Sequence, residues 1–169
     1  MRNGQIWISA VLYLALGIII LTIVLAAGMP VIKNMKDKYT LTQTKEIMVT
    51  LDDNIRTVYS EGPGSQRPVK IEIGKGDFLI DDEEDLINWS FISSLQISEL
   101  NKEIKEDNLI IFTSSTGIED QYKTDLRLDY SGILDLQYEA TTATLSGTHR
   151  LLITNTGGDP SPIIKISEL

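Results

Sequence analysis

Asp81-Asp82-Glu83-Glu84-Asp85 sets five carboxylates in succession, and oxygen ligands concentrated in this way are what calcium takes. The run lacks the D-x-[DN]-x-[DN]-G spacing that wraps a loop around the ion, so it reads as a solvated loop and no metal site is expected. Asn88-Trp89-Ser90 fits the N-x-[ST] acceptor, which makes Asn88 a possible glycosylation point in an exported domain. The same tripeptide reads equally well as a strand beside a buried Trp89. His149 is the single histidine, so any Ser-His-Asp catalysis would rest on it alone; in a strand-like run it reads as packed or solvated. The absence of cysteine excludes disulfides, thiolate nucleophiles and cysteine-ligated metals together. The sequence has no glycine-rich phosphate loop, zinc-type histidine pair or GxSxG elbow. Paired carboxylates suited to glycoside hydrolysis can arise by chance among 24 acidic residues, so they single out no site. A membrane-tethered hydrolase has no positive support, and neither an enzyme nor a cofactor is expected.

The elements that must position these residues begin with a long apolar segment. Positions 3–32 carry no charge, and about 20 apolar residues suffice for one helical crossing of a hydrocarbon core. A removable secretory signal has a shorter apolar region of about 7–15 residues and a small-residue cleavage site after it. Trp7 and Tyr13 sit toward the N-terminal side, where amphipathic rings favour a membrane interface. The periodicity continues past Pro30: Val31, Met35, Ile47, Met48, Leu51, Ile55, Val58 and Tyr59 fall mostly at spacings of three, four or their sums. Residues 47–59 thus form an amphipathic face expected to pack on the domain that follows. Gly62-Pro63-Gly64-Ser65 then ends the helix near residue 60.

From Arg67 the period changes to two. Val69, Ile71 and Ile73 alternate with Lys70 and Glu72, and Gly74-Lys75-Gly76 offers a turn before Asp77-Phe78-Leu79-Ile80, which together read as a hairpin. Further strands are expected at 86–92, 108–114, 122–130, 133–140, 143–153 and 163–166. A second hairpin is expected around Ser131-Gly132, while 98–107 fits a short helix, a strand or a loop. The expected fold is α+β: a long N-terminal helix, with a transmembrane first half and an amphipathic second half, packed on a C-terminal antiparallel β-sheet or β-sandwich.

Charge divides along the same line. Through Lys38 the chain is net +3, whereas the remainder has 11 basic and 23 acidic residues, net −12. An acidic domain argues against nucleic acid as a partner and reads as a well-solvated surface. The positive-inside rule, read on Lys33, Lys36 and Lys38 against Arg2 and the α-amino group, would leave the domain in the cytoplasm, although long domains translocate largely regardless of charge.

Gly4-Gln5 followed by IWISAVLYLALG resembles the N-terminus of archaeal type IV pilin precursors. The resemblance implies a leader at 1–4, with Gly4 its last residue and Gln5 the first mature one, cut by a prepilin peptidase on the cytoplasmic side. It implies a transmembrane and stalk helix at 5–60 and an outward-facing β-rich domain at 61–169. Many members of that family carry glutamate at the fifth mature position, where this chain has Ser9. A hydroxyl offers a hydrogen bond there but cannot cancel a neighbouring subunit's free amine. The expected function is a structural subunit of a pilus-like surface filament serving adhesion, a homo-oligomer or a partner of other pilin-like subunits. The alternative is a single-pass membrane protein whose surface β-domain binds a ligand or partner and never polymerises.

Overall fold

A computed structural model of the chain describes residues 3–139 and 144–169. One helix, α1 (Asn3–Glu61), precedes eight strands: β1 (Gln66–Asp81), β2 (Leu86–Ser93), β3 (Glu103–Glu106), β4 (Leu109–Ser115), β5 (Tyr122–Asp129), β6 (Asp135–Glu139), β7 (Thr144–Gly157) and β8 (Ile163–Glu168). The chain divides into two compact units at Lys36/Asp37, inside α1.

The first unit is helix alone. Pro30 stands within α1 without ending it, and large apolar side chains from Val11 to Met35 are exposed all round. A helix apolar on every side needs lipid or other helices as its solvent. Its internal polar side chain Thr22 is compatible with that medium, because the hydroxyl donates to the Ile18 carbonyl at 2.8 Å. Among the described residues α1 is the one helix long and apolar enough to cross a membrane.

In the second unit α1 becomes amphipathic. Met48, Leu51, Ile55 and Val58, spaced three, four and three apart, are fully buried against the sheet, with Leu41 and Ile47 packed beside them. Burying four such side chains is worth on the order of 8 kcal/mol before ordering entropy is subtracted. Val31 and Met35 fit the same spacing but stay exposed. Burial begins at Asp37, where the sheet starts to cover the helix.

The helix stop is built as its sequence suggests, with Gly62 at φ 89°. Ser65 Oγ donates to the freed Val58 carbonyl at 2.8 Å, and Asn155 Nδ2, from β7, donates to the same oxygen at 3.2 Å. Asn155 is itself fixed by main-chain bonds between Gly64 N and Asn155 O and between Asn155 N and Ser65 O.

The strands form one mostly antiparallel sheet in the order β3-β4-β5-β2-β1-β7-β8-β6, with β6 parallel to β8. The α+β expectation holds, but both expected hairpins are corrected. Gly74-Lys75-Gly76 does not turn the chain; β1 runs through it, and the register against β7 slips between Ile73 and Phe78. Four residues on β1 face one on β7 there, three extra. An odd insertion reverses which side a strand's residues face, so Val69, Ile71 and Ile73 before it and Phe78 and Ile80 after it all reach the core. Trp89 holds the bulge, its indole Nε1 donating to the Lys75 carbonyl at 2.9 Å. Gly76, at φ 82°, has no room for a Cβ, which would stand 2.6 Å from both Ser90 O and Trp89 Nε1.

The first true hairpin joins β1 to β2 through residues 82–85 of the acidic run. Ser131-Gly132 does not close a hairpin either: β5 pairs with β2 and β4, and β6 pairs with β8. Four strands separate β5 from β6 in the sheet, so a flat sheet would hold them about 24 Å apart. The six residue steps from Asp129 to Asp135 reach only about 20 Å when fully extended, and the turn bond from Ile133 N to Tyr130 O shortens them further. The sheet must therefore curl around the helix face. Residues 98–107 hold a short strand, β3, rather than a helix. Of the strand expected at 143–153, Ala143 lies outside the described residues, as does Ala140 of the strand expected at 133–140.

Candidate functional site

Gly4 and Gln5 stand in the first turns of α1. Met1 and Arg2 of the expected leader lie outside the described residues. The Gly4-Gln5 junction thus immediately precedes the bare apolar surface of the first unit.

Asn88 is set in the middle of the sheet, on β2, opposite Leu79 of β1 and Arg127 of β5. It faces away from the core that its neighbours Ile87 and Trp89 enter, and is half-buried. Its Oδ1 is buried with no hydrogen-bond partner among the described residues. Of the two readings of the tripeptide, the strand beside a buried tryptophan is the one seen: Trp89 is buried and stacked on Phe91 at 5.3 Å, and the Asn88 side chain lies on the opposite face of the strand.

The acidic run is a structural turn. Asp81 Oδ1 accepts from the backbone N of Glu83 at 3.0 Å and of Glu84 at 3.1 Å. Asp85, at φ 54°, accepts Tyr130 N on its carbonyl and Leu136 N on its Oδ1 at 2.8 Å. It therefore ties down both ends of the crossing from β5 to β6. Beside it Asp129 accepts from Ser131 Oγ at 2.6 Å and from Ser131 N at 3.0 Å, and these bonds hold its carboxyl below the usual range. No group of three or more His, Cys, Asp or Glu suited to a metal occurs among the described residues.

His149 lies on β7 at the rim of the core. Its Nδ1 is 2.5 Å from Glu168 Oε1 and its Nε2 is 2.8 Å from the Ser146 carbonyl. The Ser146 carbonyl foremost, opposed by partial burial and reinforced by Glu168, raises its pKa. No serine hydroxyl is bonded to either ring nitrogen among the described residues, so the arrangement has no activated nucleophile.

The buried polar centre of the second unit is one that sequence reasoning did not assemble. Asp52, on the sheet-facing side of α1, accepts at Oδ1 from Tyr130 Oη and from Asn108 Nδ2, each at 2.9 Å, and at Oδ2 from Arg56 Nε at 2.8 Å. Burial, and then the Asp52 carboxylate, push the Tyr130 phenol well above its ordinary range, so it stays a neutral donor. The partners come from positions 108 and 130, far along the chain, and the available signal was a single acidic residue one step from Leu51 on the helix's apolar face. An open cleft of about 430 Å³ adjoins the cluster, lined in part by Asp53, Arg56, Glu106 and Asp107. Both oxygens of Asp52 are occupied, and its bonds to Asn108 and Tyr130 tie the helix to the sheet domain.

Comparisons of the chain with protein-family models, with curated proteins and with solved structures found no match.

Proposed function

We propose that this chain is a structural subunit of an archaeal type IV pilus-like surface filament, cleaved between Gly4 and Gln5 by a prepilin peptidase. The observation that carries this reading is the division of α1. Its first unit buries none of its apolar span, and its second seals a curled sheet with the face formed by Met48, Leu51, Ile55 and Val58. Such a helix waits in the lipid through one half and, once extracted, satisfies that half against copies of itself. The acidic β-domain then faces outward for adhesion or surface interaction.

A second reading keeps the same anchor without assembly: a single-pass protein whose surface domain binds a ligand or partner. Ser9 favours it, since a hydroxyl at the fifth mature position supplies no counter-charge for a neighbouring subunit's amine.

The deciding experiment is the N-terminus of the protein recovered from cells that carry the peptidase. It is expected to begin at Gln5, and Gly4→Leu is expected to abolish processing while membrane insertion persists. An intact Met1, or normal processing of the Gly4→Leu variant, would sink the proposal. Processed protein that stays monomeric when released from the membrane would select the second reading.

A further inference from the structure

Strand β8 lies between β7 and β6, and its register places Glu168 diagonally between two side chains that titrate. On one side Leu151 of β7 is opposite Glu168, so His149 is its neighbour two residues along. On the other side Tyr138 of β6 is opposite Ile166, again two residues from Glu168 and on the same face. Diagonal neighbours in a sheet stand about 7–8 Å apart, within reach of long side chains.

The two neighbours are in opposite states. His149 has an acceptor at each ring nitrogen, Glu168 Oε1 and the Ser146 carbonyl. Only the protonated imidazole can donate to both. The Tyr138 hydroxyl is buried and has no hydrogen-bond partner among the described residues. A buried hydroxyl left unpaired costs about 1–3 kcal/mol. Burial foremost, followed by the charge of Glu168, raises the Tyr138 pKa, so that phenol is a donor without an acceptor beside a carboxylate committed elsewhere.

We propose that Glu168 is a carboxylate with two seats, held by His149 when the imidazole carries a proton and handed to the Tyr138 hydroxyl when it does not. Proton loss leaves the ring one donor, and the Ser146 carbonyl, three residues away on the same strand, retains it. The freed carboxylate rotates across β8 and ties the edge strand β6 to the sheet through Tyr138. The other charged groups around His149 are Lys70 and Glu72, which flank its cross-strand partner Ile71, Arg150, which follows it on β7, and Lys165 of β8, which is paired with Glu139 of β6. On α1, Glu46 lines the groove that Ile71 and Glu72 also line.

The test is an NMR titration of the full-length chain in detergent micelles, where the single histidine gives an unambiguous ring signal. Glu168→Gln is expected to lower the His149 midpoint, because the protonated state loses its counter-ion. Tyr138→Phe is expected to raise it, because the neutral state loses the second seat. A roughly threefold change in proton affinity in each direction is the expected size. In the unsubstituted chain the Tyr138 ring signal should move with the histidine titration, which reads the handover without relying on either variant. A Tyr138 signal that ignores the titration, or a midpoint unmoved by either substitution, would overturn the proposal.

Discussion

Asp52 shows how unequal the residues of one cluster are. Arg56 reaches it from a half-exposed position one helical turn away, with 55% of its side chain accessible, whereas Tyr130 and Asn108 are buried and lean on the same oxygen. Arg56→Ala deletes a half-exposed partner whose pairing is largely screened by solvent, and it leaves Asp52 with Tyr130 and Asn108, so it is expected to cost less than about 1 kcal/mol. Asp52→Ala strands a buried phenol and a buried amide, with an expected loss of about 3 kcal/mol. Urea midpoints at unchanged m-value check both; equal losses would show that the surface ion pair, and not the buried acceptor, holds the helix. None of this was legible from the pattern around Asp52, because hydrogen-bond partners 56 and 78 residues away have no periodicity to mark them.

At the scale of elements, the helix stop was legible and its clamp was not. Gly62-Pro63-Gly64-Ser65 announced the end of α1, but Asn155, which closes the Val58 carbonyl from across the sheet, comes from β7. Asn155→Asp would set a carboxylate against that carbonyl and the negative end of the helix dipole. The expected loss is about 2 kcal/mol at neutral pH. The repulsion raises the introduced group's folded pKa above its unfolded value, so stability should recover as pH falls through it. Melting temperatures at pH 7 and pH 4 read this directly, and an equal deficit at both would refute it. The two hairpin expectations failed for a related reason. Gly74-Lys75-Gly76 and Ser131-Gly132 carry turn chemistry, yet turn chemistry says only that the chain bends. The bulge in β1 was visible as a change of phase, odd positions up to Ile73 and even positions from Phe78, which a hairpin mimics. The crossing from β5 to β6 depends on Asp85 receiving Tyr130 N and Leu136 N, a contact local sequence cannot announce.

For the whole molecule, the first unit is a helix long and apolar enough to cross a membrane, and the second holds the sheet. Ile19 lies near the middle of the apolar span, and Ile19→Lys there is expected to cost about 3 kcal/mol of insertion free energy. Val49→Lys, on the outer face of α1 in the second unit, is expected to cost nothing of the kind. The fraction resisting alkaline carbonate extraction should fall for the first variant only, and retention of both would mean that the span is not the anchor.

Composition and period alone determined the long apolar helix, its amphipathic second half, the α+β class and most strand positions, because each is a local rule about apolar spacing. Strand order, the curl of the sheet, the parallel β6–β8 pair and the Asp52 cluster were decided only by tertiary structure. They rest on which distant residues meet, and a chain of 169 residues offers far more such pairings than its pattern distinguishes. The carboxylates are divided by the same logic: Asp81 and Asp85, from the run that first suggested chemistry, shape a turn and a crossing, whereas Asp52, which locks the helix, and Glu168, which stands between a histidine and a tyrosine, carried no mark in the sequence.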